Sequence, residues 1–381
     1  MRQKLIWLSV LLAGLLTGCG SAGAASEADS AKIEGLNLTS EEAPEYAEGF
    51  QIDHYEGGYS VIRIFDGADY LLVPEGAAVP DGLPEEMVVI QKPLQNVYLV
   101  ATSAMSMFDT VGALEQIRLS GTKEEDWYVE NAALAMEDGD ILYAGKYSAP
   151  DYELLVAENC DLAIESTMIL HSPEVQEKLE EMGIPVFVER SNYESHPLGR
   201  TEWVKVYGEL TDCQEEAAEA FEAQKAYVDE LENFENTEKT VAFFYVNQNG
   251  TVVARKSSDY IPKMIELAGG RYIFEELGDP EKATSGVNLT MEEFYAAAKN
   301  ADYMVYNASI DDPLRSIDDL LGKSELFEDF KAVQKGNVWT TDRYFYQSAD
   351  ENGAMISDLH QMLVDGTADK LRFMYRLDSS D

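Results

Sequence analysis

The chain is poor in cysteine, histidine and basic residues, and these shortages limit what it can be. Its 381 residues include three Cys and four His, and 28 Lys and Arg stand against 71 Asp and Glu, a formal net charge of −43. So acidic a chain is not expected to bind nucleic acid, or to bind anionic lipid through a basic face. After Cys19 only Cys160 and Cys213 remain, which make no disulfide framework, and the sequence leaves open whether they pair.

Motifs of catalysis and of metal binding are also absent. No H-E-x-x-H, G-x-S-x-G, Walker or dinucleotide-binding glycine pattern occurs, so the sequence predicts no enzyme activity and no resident cofactor or metal. A bare divalent metal ion as the bound ligand is an alternative, because His171, Glu165 and His196 would supply three ligands if the fold brought them together.

The N-terminal residues carry the pattern of an export signal. Two basic residues precede the apolar run Leu5–Leu16, which is too short to span a bilayer, and small residues then lead to Cys19. This is typical of a lipoprotein signal whose Cys is acylated. We therefore predict a signal peptide at 1–19, a flexible acidic tether at 20–45, and a protein outside the cell that touches the membrane only through its lipid.

One long amphipathic segment organises the rest of the chain. Apolar residues recur at helical spacing over 212–236, and residues 211–214 fit a capping box. On each side, short apolar strands alternate with amphipathic helices, which predicts an α/β fold with an N-terminal lobe at 46–211 and a C-terminal lobe at 237–381. Each lobe is expected to be a Rossmann-like, mostly parallel sheet covered by helices on both faces. The alternative is a surface helix of one large domain.

Three loops of the first lobe follow predicted strands and should share one rim, since ligands of parallel sheets bind beyond the carboxyl ends of the strands. They are Ser103–Met105, Glu165–Met168 and Arg190–Glu194. An A-x-N-x-D pattern precedes an apolar strand at 157–161 and again at 298–302, which places the loop after Tyr306 at the equivalent edge of the second lobe.

Basic, aromatic and small polar side chains concentrate on these rims. An Arg fork pairs with carboxylates and an aromatic face covers a flat ligand, so together they predict a cleft for a bulky, partly anionic ligand. Taken singly, each Arg would instead neutralise a nearby acid. The candidate ligand-binding residues are Ser103, Met105, Thr167, Met168, Arg190, Tyr193, Tyr245, Arg255, Tyr306, Asn307 and Tyr344.

Four stretches, in this order around the predicted helix, resemble substrate-binding lipoproteins of ABC importers, of the type that binds ferric siderophores, haem or cobalamin. They are 151–164, 182–186, 194–203 and 331–339. The resemblance implies a monomer that carries its metal chelate as ligand, performs no chemistry on it, and delivers it to the permease and ATPase of an importer. Alternatives are a bare-metal binding protein of an importer, or a surface enzyme or interaction protein on the same scaffold.

The resemblance also implies one exposed carboxylate on each lobe that docks onto the permease. Glu153 matches the first-lobe position, while Asp350 and Glu351 lie near the second-lobe position without the family's pattern. The segment His196–Arg200 looks like a subgroup signature. The sequence leaves open whether its polar side chains face the cleft or only support the helix that Pro197 begins.

Overall fold

The computed structural model describes residues 33–280, 282, 284–311, 313–366 and 370–378. The predicted signal peptide and Cys19 lie outside these residues. Residues 33–45 of the predicted tether are folded instead: Ile33 is 4% exposed, and strand β1 (Leu38–Glu42) pairs with the next strand. The prediction of a flexible tether is wrong for this part. Its acidic, weakly apolar composition indicates disorder, but pairing with the next strand provides hydrogen-bond partners for its backbone.

No helix in the described residues is long and apolar enough to cross a membrane.

The first 60 described residues build a separate five-stranded sheet, which the sequence did not distinguish from the first lobe. Hairpins turn at Gly57-Gly58, between its second and third strands, and at Gly67, between its third and fourth. The sheet is apolar on both faces, and Ile52 and Leu72 on one face pack into the core of the first lobe. After β1 its strands, in spatial order, are β2 (Phe50–Tyr55), β3 (Ser60–Ile64), β4 (Asp69–Val73) and β5 (Val88–Gln91).

The first lobe is a parallel sheet, as predicted, with strand order β12-β11-β6-β7-β8 and helices packed against it. Its elements are β6 (Val97–Leu99), α1 (Thr102–Thr110), β7 (Ile117–Ser120), α2 (Glu130–Asp138), β8 (Leu142–Tyr143), β9 (Gly145–Lys146), β10 (Ala149–Pro150), α3 (Tyr152–Ala157), β11 (Leu162–Ser166), α4 (Pro173–Glu181), β12 (Val186–Glu189), α5 (Pro197–Glu202) and α6 (Val204–Thr211).

The connecting helix α7 (Gln214–Asp229) is shorter than predicted. Asp212 ends α6 in the left-handed conformation, with φ of 61°, so the predicted capping box does not form. Sixteen residues span about 24 Å. Phe221 is buried in the core of the first lobe, and Val228 also contacts the core of the second, so the helix still joins the two lobes.

The second lobe has a mixed sheet with order β16-β14-β13-β17-β18-β19, and β15 also pairs with β13. Strands β13, β17 and β18 are parallel, and antiparallel strands flank them. Its elements are β13 (Thr240–Val246), β14 (Val252–Arg255), α8 (Tyr260–Leu267), β15 (Arg271–Tyr272), β16 (Gly286–Leu289), α9 (Met291–Ala298), β17 (Tyr303–Tyr306), α10 (Ile317–Lys323), α11 (Lys331–Gln334), β18 (Val338–Thr341), α12 (Asn352–Val364) and β19 (Met374–Arg376).

The repeated A-x-N-x-D pattern has the same structural role in both lobes. The Asp161 carboxylate accepts hydrogen bonds from the backbone N–H groups of Gln95 and Asn96, just before β6. The Asp302 carboxylate accepts one from Thr240 N at the start of β13. Each Asp, which lies just before one central strand, thus accepts hydrogen bonds from backbone N–H groups at the start of the neighbouring strand. The need to pair these N–H groups explains why both lobes share the pattern.

Candidate functional site

The first-lobe rim is held together by hydrogen bonds between its loops. Ser103 Oγ donates to Glu189 Oε2 at 3.2 Å, and Asn192 Nδ2 donates to Thr167 Oγ1 at 3.3 Å. Glu189 is buried, which raises the pKa of its carboxyl group. Tyr193 remains 50% exposed. The ends of β6, β11 and β12 therefore meet at one rim, as the sequence predicted.

Arg255 is the centre of the second-lobe rim. Its guanidinium donates to Ser285 Oγ at 2.7 Å and to Tyr346 Oη, and its Cζ lies 5.0 Å from the centre of the Tyr346 ring. Asn307 Nδ2 donates to the same Tyr346 hydroxyl at 2.9 Å. This arrangement holds a half-buried cation on an aromatic face, with Asp259 Oδ1 3.6 Å from Arg255 Nε. Its partial removal from water strengthens its attraction to an anionic oxygen.

The two rims meet at Arg200 of the first lobe. Its Cζ lies 4.1 Å from the centre of the Tyr260 ring of the second lobe, and its Nη1 donates to Asn192 O at 3.4 Å. Burial raises the pKa of Tyr260, and the positive charges of Arg200 and Arg255 act against that rise. We call Arg200, Arg255, Tyr260 and Tyr346 the boundary cluster.

Two cavities lie at the boundary of the lobes, and residues of the second lobe supply most of the lining of the larger one. One of about 350 Å³ has Tyr193 on its first-lobe side and Lys256, Tyr260 and Lys282 on its second-lobe side. Another of about 580 Å³ adjoins it at Ser195. Both volumes fall in the range of roughly 300–1,000 Å³ that is usual for small-molecule sites.

Several predicted ligand residues are buried in the cores instead. Met105 and Tyr306 are 0% exposed and Asn307 is 2% exposed. The predicted contacts of Met105, Tyr306 and Asn307 with a ligand are therefore wrong, and Asn307 supports Tyr346 instead. Helix α1 turns Met105 into the core of the first lobe, and the Tyr306 hydroxyl donates to Asp311 Oδ2 at 2.6 Å. Tyr245 is half-buried against the second-lobe core.

Tyr344 also points away from the lobe boundary. Its hydroxyl donates to Arg372 O at 2.6 Å, its ring packs on Phe373, and burial raises its pKa to about 12. Tyr346, two residues further on, occupies the place that the sequence assigned to Tyr344. Met168 is 44% exposed at the first-lobe rim.

The candidate docking acids differ in exposure. Glu153 is exposed in the first turn of α3, so its carboxylate is accessible. Asp350 is 9% exposed, accepts a hydrogen bond from Thr110 Oγ1 at 2.7 Å, and has its pKa raised by burial. The prediction of Asp350 as an exposed docking acid is therefore wrong, because it links the second lobe to α1. Glu351 is half-buried and pairs with Arg372.

The geometry does not bring the three candidate metal ligands together. His196 Nδ1 accepts from Leu198 N at 3.2 Å and caps α5, while its ring stacks on Tyr46. Glu165 is 0% exposed, whereas His171 lies on the surface. The described part of the chain contains no group of three or more His, Cys, Asp or Glu able to hold a metal ion. Cys160 and Cys213 are both free thiols.

Two buried glutamates near the signature were missed from sequence. Glu202 accepts hydrogen bonds from the backbone N–H groups of Glu45, Tyr46 and Ala47 at 2.8–3.0 Å. Glu194 accepts from Gly49 N and from Trp203 Nε1, both at 2.9 Å. These two glutamates, one on each side of the signature segment, hold the start of the N-terminal sheet against the first lobe, whereas Arg200 lies at the lobe boundary.

Two α/β lobes that meet at a basic and aromatic boundary with adjoining cavities define a two-lobed ligand-binding protein. The chain belongs to the periplasmic binding protein family, whose model matches residues 101–344. The fold and the family inferred from the sequence are thereby confirmed.

The chain is also similar to a named lipoprotein in sequence and to two solved binding proteins in fold. An uncharacterized lipoprotein of Methanocaldococcus jannaschii is 23% identical over 387 residues, covering 93% of this chain and 91% of the relative. The periplasmic haem-binding protein HutB of Vibrio cholerae superposes with a TM-score of 0.57 at 17% identity, over 70% of this chain and 100% of its own. The petrobactin-binding protein YclQ of Bacillus subtilis superposes with a TM-score of 0.59 at 13% identity, over 72% of this chain and 94% of its own. These structural likenesses concern the fold.

Proposed function

We propose that the protein is the extracytoplasmic substrate-binding lipoprotein of an ABC importer, tethered through an acylated Cys19. It captures an iron chelate (a ferric siderophore or haem) or cobalamin between its lobes and delivers it, chemically unchanged, to the permease and ATPase. Family membership, lipoprotein relatives, and structural neighbours that are named for haem and petrobactin binding support this proposal.

The boundary cluster is the observation that carries the proposal. In a chain with a net charge of −43, Arg200 and Arg255 lie against aromatic rings at the junction of the lobes. Lys256 and Lys282 border the adjoining cavity. Cations that are partly removed from water attract anionic oxygens more strongly than exposed cations do, and the rings cover flat or apolar parts of a ligand. A bulky, partly anionic chelate fits both features.

Contacts outside the cavities restrict how far the lobes separate. Asn352 Nδ2 of the second lobe donates to Pro197 O and to Thr201 Oγ1 of the first, both at 3.1 Å. Helix α7 contacts the cores of both lobes. We therefore infer a modest closing or stiffening on ligand binding, after which both lobes contact the permease, with Glu153 as the first-lobe docking acid.

A thermal-shift titration of the mature chain from residue 20 tests the proposal, with ferric siderophores, haem, cobalamin and bare divalent metals as ligands. A ligand at a hundred times its dissociation constant adds about 2.7 kcal/mol of stability. The variant Arg200→Gln should weaken that stabilisation, while Lys335→Gln, an exposed cation far from the boundary, should not. Stabilisation by metals alone would favour the bare-metal alternative, and no stabilisation by any chelate would refute the proposed ligand class.

A further inference from the structure

A further cavity of about 290 Å³ lies beside the lobe boundary, between the N-terminal sheet and the first-lobe rim. Phe65 and Asp66, in the turn between β3 and β4, form one side. Arg190 and Tyr193 form the other. The N-terminal sheet precedes residue 101, where the family match begins, so one wall of this cavity comes from a part of the chain that the family match does not cover.

The wall from the N-terminal sheet is held in a defined position against the rim. Phe65 N donates to Gly49 O at 2.9 Å, and Gly49 N donates to Glu194 Oε1 at 2.9 Å. A Cβ atom at position 49 would lie 2.8 Å from that same carboxylate oxygen, so a larger residue there would displace the Glu194 carboxylate. Glu194 follows Tyr193 directly and lines both this cavity and the 350 Å³ cavity between the lobes. The small cavity is therefore a rigid neighbour of the proposed ligand site.

The side chains around the cavity offer two aromatic faces and one unused donor. Phe65 is 41% exposed and Tyr193 is 50% exposed, although large aromatic side chains usually bury most of their area. Arg190 Nε is buried and has no hydrogen-bond partner among the described residues, and its Cζ lies 5.7 Å from the centre of the Tyr193 ring. Nε itself is closed to solvent, but the two Nη groups of Arg190 also make no hydrogen bond to the described residues and are not enclosed, so an oxygen atom of a bound ring would accept a hydrogen bond from them.

Charge and size narrow the class of ligand group. Glu48, Asp66 and Glu194 surround the single cation Arg190, so a carboxylate or phosphate in the cavity would face a net negative field. A neutral ring that carries an accepting oxygen avoids this repulsion. The volume of about 290 Å³ lies just below the roughly 300–1,000 Å³ of small-molecule sites, so the cavity has room for one ring.

We propose that this cavity, here called the aryl pocket, binds a neutral hydroxyaryl or aryl amide group of the carried ligand, with Phe65 and Tyr193 against the ring and Arg190 donating to its oxygen. The inference rests on the proposed function only in taking the ring to be part of the imported ligand. It makes the N-terminal sheet a determinant of ligand specificity.

Salicylamide is a suitable probe, because it is a neutral ring with accepting oxygens, and salicylate is its anionic counterpart. Binding to the mature chain is measured by saturation-transfer NMR and by calorimetric titration. We expect Phe65→Ala and Arg190→Gln each to weaken salicylamide binding about fivefold or more, in line with the loss of one aromatic or hydrogen-bond contact. Salicylate and cyclohexanecarboxamide should bind more weakly than salicylamide. Tyr227→Ala, which removes a similarly exposed ring on α7, should change nothing.

The outcomes separate this inference from the proposed function. If no iron chelate or cobalamin binds but salicylamide binds in a Phe65-dependent manner, the aryl pocket stands and the proposed cargo is refuted. If a chelate binds while salicylamide does not, or if salicylamide binds equally well to wild type and to Phe65→Ala, the aryl pocket is refuted and the proposed function stands.

Discussion

Glu165 is a buried acid whose ionisation should limit the stability of the first lobe. It is 0% exposed at the end of β11, and neither carboxylate oxygen has a hydrogen-bond partner among the described residues. Burial raises its pKa from 4.5 to about 8. The side chain is therefore protonated in the folded protein at neutral pH and ionised in the unfolded chain. We predict that Glu165→Gln stabilises the protein, and increasingly so as the pH rises.

The sign and size of this effect follow from proton linkage. When a carboxyl group has a higher pKa in the folded state than in the unfolded state, the protein loses stability as the pH rises from the unfolded-state pKa to the folded-state pKa. With values of 4.5 and about 8, the loss is about 1 kcal/mol at pH 5 and about 4 kcal/mol at pH 8. Glutamine cannot ionise, so the variant escapes this loss. An unfolding entropy of about 2.1 cal/mol/K per residue converts these energies to increases in melting temperature of about 1 °C and about 5 °C.

Thermal unfolding of wild type and Glu165→Gln, followed by circular dichroism between pH 5 and pH 8, measures this difference. The lower limit stays above the isoelectric point of about 4.2, where the chain loses its net charge. Glu174→Gln, which alters an exposed glutamate in the first turn of α4, is the matched control and should follow wild type. A stability difference that is the same at pH 5 and pH 8, or one that the control shares, would refute the assignment of a protonated Glu165.

Three further predictions concern packing, the N-terminal sheet and transport. Gly353→Ala should destabilise the protein by about 1–3 kcal/mol, because its Cβ would lie 2.0 Å from Gln224 O. The control Gly322→Ala in α10 meets nothing within 4 Å and should stabilise the protein by about 0.5–1 kcal/mol. Denaturant unfolding measures the free energy of unfolding of both variants. Glu202→Ala leaves three backbone N–H groups without their acceptor and should cost about 3 kcal/mol or more, with hydrogen exchange rising first in the N-terminal sheet; unchanged exchange there would count against the role of this carboxylate. Glu153→Gln alters an exposed side chain, so stability and ligand affinity should stay at wild-type values while uptake by cells falls, and a loss of affinity would contradict the docking role.

Short-range patterns in the sequence predicted most of the individual elements. Three local signals in the sequence match the structure: the Asn-Gly turn between β13 and β14, the Asp259 cap of α8 and the Thr290 capping box of α9. Each depends on residues within a few positions of one another, where turn chemistry and capping hydrogen bonds act locally. The length of α7 was predicted less well, because a left-handed Asp212 was not distinguishable from a cap.

The site was predicted less completely than the elements, since it depends on contacts between distant parts of the chain. Arg200 and Tyr260 lie sixty positions apart, and only the packing of α5 near α8 brings the guanidinium onto the ring. The choice between Tyr344 and Tyr346 depends on the direction of each side chain in the 3-10 turn Arg343–Tyr346. Composition and spacing identified a basic and aromatic rim but could not assign each side chain to the cavity or to the core.

The sequence by itself determined the acidic surface, the lipoprotein-type N-terminus, the alternation of strands and helices, and the likeness to a binding-protein family, because charge, periodicity and local capping are properties of neighbouring residues. Only the tertiary structure decided that residues 33–91 form a separate sheet, that Asp350 is buried between the lobes, and that Glu194 ties the N-terminal sheet to the rim. These features depend on which distant surfaces pack together, and burial and hydrogen-bond partners exist only after that packing has occurred.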